Sequence, residues 1–427
     1  MLRPKSGELS VSARAGVILS HPTGNAFCRA AINALMEERL LAGFYTTIAT
    51  FRHNLWGLVA RLPFCQELQR RSFNESVRSI TVEDPFFEIA RLLAPRVGLH
   101  WLTNHEIGPL CTDSIYRRVD RIVSRRVMRS TPLAVYAYED GALESFRCAK
   151  VVSTKCLYDL PIGYWRAARR LLKDERERWP QWAATMPGFH DSDEKLARKD
   201  EELRLADRIY VASQFTKQTL TDYPGTLAPV EVIPYGFPAV GPPRDYSDRA
   251  TRKLKLLFVG GLSQRKGIAD VFAVAEMLKD DVELTIVGQG AVNECVALSN
   301  ALKRHHWVPS LPHAQILDLM REHDILLFPS LFEGFGLVIT EAMSQGTPVI
   351  TTERTAGPDL IQHEKNGWLI AAGNTSALQS QIESILNDRD SIQSVGEQAR
   401  QSAMVRPWSV YGKELANSVI KGLKTKL

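Results

Sequence analysis

From residue 255 onward, short apolar runs alternate with stretches of helical periodicity. KLLFV (255–259), VELTIV (282–287), DILLFP (324–329), TPVIT (347–351) and GWLI (367–370) read as strands. Helical patterns fall near 267–279, 291–303, 312–322, 337–345, 357–363 and 375–386. This alternation predicts βαβ units on a parallel sheet, with a ligand crevice at the carboxyl ends of the strands. The first half is less regular. GVILS (16–20), LAVYAYEDG (133–141), TKCLYDLP (154–161), ADRIYVAS (206–213) and VEVIPYG (230–236) read as strands, and Ala26 to Leu41 as a helix. Periodicity is weakest between 52 and 130, and the charged stretch 163–204 is predicted to be helical. The run 236–253, rich in Gly, Pro and charge, reads as a linker. The pattern predicts an α/β protein of two domains, 1–240 and 254–406.

Composition adds little to this picture and contradicts none of it. A chain of 427 residues is too long for one typical core. No apolar run reaches membrane-spanning length, and no leader-like segment opens the sequence, so a cytoplasmic protein is expected. The six cysteines (28, 65, 111, 148, 156 and 295) include no CxxC pair, which argues against a zinc or disulfide framework. A net charge of +5 does not point to nucleic acid.

Candidate chemistry concentrates in SLFEGFGLVITEAMSQGTPVI. Glu333 falls in a Gly-rich loop after a strand, and Glu341 about one turn into the next helix. The amides of Gly334, Phe335, Gly336 and Leu337 would point out of the helix start, where an anion binds well. Carboxylates beside an anion site suit a phosphate that carries sugars, because they accept from hydroxyls. The segment therefore reads as a nucleotide-sugar site, against the bland alternative of an acidic loop and an ordinary helix.

Other motifs gain weight beside it. In FVGGLSQRKG, Gly260 and Gly261 allow close backbone approach, and Arg265 and Lys266 supply cations for a diphosphate. Gly288 in IVGQG would let a ribose or base pack on backbone. In the loop His21–Asn25, Gly24 and Asn25 could approach a ligand across an interdomain cleft. Glu139, Asp140 and Asp159 fall near strand ends, where sites form. Asp191-Ser192-Asp193 is a DxD, read as a solvated helix-cap region. With no metal-ligand spacing among the histidines, no metal and no cofactor are expected. Arg117, Arg121, Arg125 and Arg129 share one side of a helix. Such a stripe is an ordinary solvated face or, alternatively, a contact with an anionic membrane surface.

With these motifs in place the chain resembles a retaining GT-B glycosyltransferase of glycosyltransferase family 4. EGFGLVITEAMSQGTPVI is the most specific part. SQFTKQTL, VIPYG, GGLSQRKG, LTIVGQG, DILLFPS and NGWLI follow in the expected order, over nearly all of 205–410. The resemblance implies two facing Rossmann-like domains with the active site between them, no required metal, and a last helix (407–427) that packs back on the first domain. It implies transfer of a sugar from a nucleotide-diphosphate sugar to a hydroxyl acceptor, often a lipid-linked or polysaccharide precursor at the inner face of the membrane. By position, Glu333 would contact the donor sugar, Glu341 the ribose, and Lys266 the diphosphate. Two departures stand out. Gly261 replaces a frequent arginine, leaving Arg265 as substitute, and Asp159 stands where many members place a first-domain histidine. Two rivals share the fold: a nucleotide-sugar epimerase and a non-catalytic nucleotide-binding subunit.

Overall fold

Seven parallel strands form the first sheet: β1 (Val17–Ser20), β2 (Leu41–Thr46), β3 (Thr81–Glu83), β4 (Ala134–Tyr138), β5 (Lys155–Leu160), β6 (Arg208–Val211) and β7 (Val230–Val232). Their order is β3-β2-β1-β4-β5-β6-β7. Six more form the second: β8 (Leu254–Val259), β9 (Val282–Val287), β10 (His306–Val308), β11 (Ile325–Phe328), β12 (Val349–Thr352) and β13 (Trp368–Ile370), ordered β10-β9-β8-β11-β12-β13. The computed structural model describes residues 16–52, 54–60, 68, 71–186, 191–247 and 252–424. Of the stretch 190–193 only Asp191, Ser192 and Asp193 are therefore described, and the C-terminal helix is described only to Lys424.

Side-chain alternation explains the layers. On β4, Ala134, Tyr136 and Tyr138 enter one core while Val135 and Ala137 enter another. On β8, Leu256 and Phe258 face one core while Leu257 and Val259 face the other. Both faces of each sheet are thus covered by helices, as parallel sheets require. The order reverses once in each sheet, between β1 and β4 and between β8 and β11. Loops leaving the carboxyl ends of such strand pairs diverge and open a crevice.

The chain crosses between the domains more than once. The helix Trp408–Lys424 packs on Ala26–Glu37, placing Tyr411, Leu415 and Val419 in the same core as Val17 and Leu35. The run after β7 is packed rather than loose: Phe237 N donates to Arg406 O at 2.9 Å, and Tyr246 Oη to Gly346 O at 2.7 Å. The stretch 163–204 is not one helix. It breaks into Trp165–Leu172, Glu175–Arg178, a 3-10 turn Pro180–Thr185 and Asp193–Leu205. Its middle docks on the second domain, where Trp182 stacks on Phe272 with ring centroids 5.6 Å apart. Arg178 pairs there with Asp270 at 2.7 Å. Residues 175–186 thus pack with the second domain although they lie within the range expected for the first. Three strands escape the periodicity, β2, β3 and β10, as does the helix Ser391–Val405.

Candidate functional site

The loops after β8 and β11 flank the switch point of the second sheet, and this explains which side chains meet. Ser263 Oγ caps the turn Gln264–Lys266 by accepting from Arg265 N at 3.2 Å. Arg265 O then accepts from Leu331 N at 2.9 Å and from Ser330 Oγ at 3.2 Å, locking this turn to the β11 loop. The lock brings Lys266 Nζ onto Glu333 Oε2 and Arg265 Nη1 to 3.2 Å from the same oxygen. Arg265 also donates to Phe332 O at 2.6 Å. Burial and the neighbouring Arg265 pull the Lys266 ammonium well below its ordinary range. Two basic side chains thus share one carboxylate oxygen.

Glu333 gives way to the helix Leu337–Ser344, whose start has no side-chain cap. Among the described residues, the amides of Gly334, Phe335, Gly336 and Leu337 have no acceptor within the protein. Uncapped N–H groups at a helix start attract an anion. Glu341 lies on the next turn and accepts from His313 Nε2 at 2.9 Å. It lines a cavity of about 660 Å³ together with Leu337 and Thr340 from the second domain and Gly24, Asn25 and Arg29 from the first. A second cavity of about 430 Å³ is lined by Gly261, Arg265, Lys266, Gln289 and Gly290. Glu341 thus lines the larger space, whereas Glu333 is tied to the smaller one through its contacts with Arg265 and Lys266, and the helix start lies between the two glutamates in chain order.

Four of the residues expected to touch a ligand have structural work. Phe335 is buried, its ring 4.8 Å from that of Tyr235 in the first-domain core, so only its amide is available. Gly288 is needed for a backbone approach: a Cβ there would lie 1.8 Å from Gly260 O, and its φ of 154° suits glycine. Asp159 is the clearest correction. Its carboxylate accepts from Tyr136 Oη at 2.5 Å, it is buried, and burial pushes its pKa up to about 7. It is a core residue of β5 and lines none of these cavities. Gly334 marks the contact between domains. Its carbonyl accepts from Ser213 Oγ at 2.6 Å and Thr216 Oγ1 at 2.8 Å, and a Cβ there would lie 2.0 Å from Pro161 O.

The first domain contributes a third cavity of about 430 Å³ at the ends of β1 and β4, lined by His21, Asn25, Asp113, Glu139, Asp140 and Lys195 among others. In the sequence His21 stands only as the start of a loop. Its Nδ1 accepts from Thr23 N at 3.1 Å and Gly24 N at 2.8 Å. Burial, with Arg71 and Arg29 nearby, pushes its pKa down to about 3, so the ring is neutral with its proton on Nε2. Burial also raises Glu139 to about 7, against the pull of Lys199. Asp113 Oδ1 is 3.3 Å from both Lys195 Nζ and Arg198 Nη2, while its buried Oδ2 has no partner. Glu202, which no motif signalled, holds the loop after β4 by accepting from the amides of Asp140, Ala142 and Leu143.

The DxD stretch proves to be a helix cap: Ser192 Oγ accepts from Lys195 N. Asp191 is not solvated as expected, since it pairs with Lys195 at 2.9 Å and Lys199 at 3.2 Å. Among the described residues, His105, Glu106 and Asp191 stand close enough to share a metal ion. Their carboxylates are already engaged by Lys195, Lys199 and Ser192.

Comparison with known proteins bears on the fold. Residues 244–402 match the family model described as Glycosyl transferases group 1. The glycogen synthase of Mycobacterium tuberculosis is 28% identical over 207 residues, covering 47% of this chain and 50% of that protein. The chain therefore aligns with about half the length of that relative. Sucrose-phosphate synthase from Thermosynechococcus elongatus superposes with a TM-score of 0.64 at 16% identity, over 96% of this chain and 99% of that one. Anabaena HepE in complex with UDP gives 0.62 at 16% identity, over 96% and 100%. Two Rossmann-like domains facing across a cleft give the chain the GT-B fold, and its residues 244–402 match the group 1 glycosyl transferase model.

Proposed function

We propose that the chain is a retaining glycosyltransferase of family 4 that moves a sugar from a nucleotide-diphosphate sugar to a hydroxyl acceptor in the interdomain cleft. The observation that carries this reading is the convergence of Lys266, Arg265 and Glu333 beside an uncapped helix start. Glu333 is the anion that faces these cations here. A bound diphosphate would replace it, keep both cations paired, and free Glu333 to accept from hydroxyls of the attached sugar. Glu341 would hold the ribose diol in the larger cavity, beside Gly24 and Asn25.

The chemistry then follows. The bond between the anomeric carbon and the diphosphate oxygen breaks. Lys266, Arg265 and the amides of 334–337 stabilise the charge growing on that oxygen. The acceptor oxygen bonds to the same face of the carbon, and its proton passes to the departing phosphate oxygen. The acceptor would occupy the first-domain cavity, where Glu139 and Asp113 can accept from hydroxyls. Lipid-linked or polysaccharide precursors fit this reading, with the enzyme at the cytoplasmic face of a membrane. Among the described residues no helix is long and apolar enough to cross a membrane. The cations in this scheme are side chains, and no metal or cofactor is invoked.

Calorimetry with UDP, GDP and ADP, followed by transfer assays with the matching sugars, tests the proposal. Binding of at least one nucleotide diphosphate is expected, with transfer to a hydroxyl acceptor that persists in excess chelator. Failure of all three to bind would overturn it, and an isomer formed from donor and enzyme alone would favour an epimerase.

A further inference from the structure

Among the described residues, nine of the sixteen exposed large hydrophobics lie between Leu55 and Ile107, a small part of the chain. Phe86 is 72% exposed and Trp101 60%. From Arg96 to Trp101 every residue is exposed. Monomeric proteins rarely display apolar surface so concentrated without a use for it.

Charge on this part of the chain is equally one-sided. Between Phe86 and Ser130 there are four acids. Glu88, Asp113 and Asp120 are buried, and Glu106 holds the backbone and hydroxyl of Ser192. The bases point the other way: Arg96, His100 and His105 are exposed, as are Arg117, Arg121, Arg125, Arg126 and Arg129 on the helix Thr112–Ser130. Arg118 joins the two surfaces. It lies 3.9 Å from the Phe87 ring centroid and pairs with Asp84, so the helix Pro85–Leu93 abuts the start of the arginine helix.

We infer that this face docks on an anionic lipid bilayer, with Phe86, Leu93, Val97 and Trp101 entering the interface and the arginines meeting headgroups. Exposed apolar side chains beside an arginine-faced helix, with no exposed acid between Phe86 and Ser130, match an anionic interface in both respects. A second copy fits poorly, because a two-fold contact would set arginine against arginine. The position also serves the site. Arg91 and Leu92 line the 660 Å³ cavity and His105 lines the first-domain cavity, so the apolar stretch between them in the chain is anchored at both cavities. A docked enzyme would then open its cleft at the membrane surface. Delivery of a lipid-linked acceptor there rests on the function proposed above, whereas docking itself does not.

Flotation of the full chain with phosphatidylcholine vesicles, with and without phosphatidylglycerol, tests the inference. The chain should float with the anionic vesicles only, and high salt should weaken binding. Phe86→Ser with Trp101→Ser should lower partition about ten-fold or more, and so should Arg121→Glu with Arg125→Glu. Both pairs should keep the parent's melting temperature and nucleotide diphosphate affinity. Failure of the parent to float with anionic vesicles would overturn the inference, as would double variants that float like the parent. A concentration-dependent dimer abolished by the Phe86 and Trp101 changes, without vesicle binding, would assign the face to a second copy. Flotation without any nucleotide binding would instead count against the proposed activity.

Discussion

Glu333 faces Lys266 and Arg265 at a single oxygen, Oε2, and this contact shapes what its removal should do. A carboxylate that occupies the cations competes with a diphosphate for them. Glu333→Gln should therefore leave nucleotide diphosphate affinity within a few-fold of the parent, or tighten it, while losing most transfer activity. That split marks a contact stronger in the transition state than in the ground state. Calorimetry beside steady-state kinetics checks it, and a fully active variant would remove Glu333 from the reaction. Glu341 predicts the opposite split. Loss of its charge-assisted bond should weaken nucleotide diphosphate binding about ten-fold or more in Glu341→Gln, because such bonds contribute roughly 1.5–3 kcal/mol. Asp159 offers a test through stability. Its pKa rises from the usual 3.8 to about 7 on folding. Between those values the unfolded chain has released a proton that the folded chain keeps, so folding binds protons and stability falls as pH rises through the window. Asp159→Asn lacks this term, so the melting temperature of the variant relative to the parent should rise between about pH 4 and about pH 8. A difference that stays constant across that range would show that Asp159 is ionised in the folded protein.

At the scale of elements, the loop Glu333–Gly336 is a joint between domains as much as a ligand loop. Phe332 packs edge-on against Phe215 with centroids 5.5 Å apart, and Phe335 enters the first-domain core. Gly334 fits between these anchors with no room for a methyl group: Pro161 O and Ile162 Cα would lie 2.0 and 2.6 Å from its Cβ. Gly334→Ala should therefore push the loop outward, cost about 1–3 kcal/mol as overpacking does, and remove most turnover. Thermal melting and kinetics check this; a stable, active variant would mean that the closed contact is not the working arrangement. The amides of this loop were legible in the sequence, because a strand, a Gly-rich turn and an apolar helix follow one another there. The fate of the Phe335 ring was not, since its partner Tyr235 lies a hundred residues earlier and no local pattern connects them. The same limit explains the missed strands. β3 and β10 are three residues each and β3 is half-exposed, too short for a periodicity to register. β2 begins at Leu41, the residue to which the sequence pattern had extended the helix, four residues past its end at Glu37. His21 carried no signal beyond its place before a turn; its tautomer is set by two backbone amides that only the folded loop supplies.

At the scale of the whole molecule, the cleft is framed by a chain that crosses it repeatedly. The run after β7 leads into the second domain, and Arg406–Trp408 leads back beside it, with Arg406 Nη2 donating to Pro234 O at 2.5 Å. The third link is the stretch Glu175–Thr185. It leaves the first domain and reaches the far core, where Trp182 lies 5% exposed among the residues of β8, β9 and their helices. Gln264, in the turn that carries Arg265 and Lys266, donates from its backbone to Thr185 Oγ1 at 3.0 Å and from its side chain to Glu175 Oε2 at 3.0 Å. The strap thus supports the cationic turn from behind, and its removal should be felt at the site as well as in the fold. Trp182→Ala takes a large ring from a packed core, a change that costs about 3–5 kcal/mol. Because that core belongs to the second domain, the loss should appear there. We expect a lower melting temperature, earlier hydrogen exchange in β8 and β9 than in β1 and β4, and weaker nucleotide diphosphate binding as the Gln264–Lys266 turn loosens. Arg178→Ala should act in the same direction by leaving Asp270 without its guanidinium partner. Hydrogen exchange resolved by segment separates the outcomes. Exchange that accelerates in the first domain while β8 and β9 stay protected would show that Glu175–Thr185 belongs energetically to the domain from which it departs, and that the second domain holds its cationic turn without help.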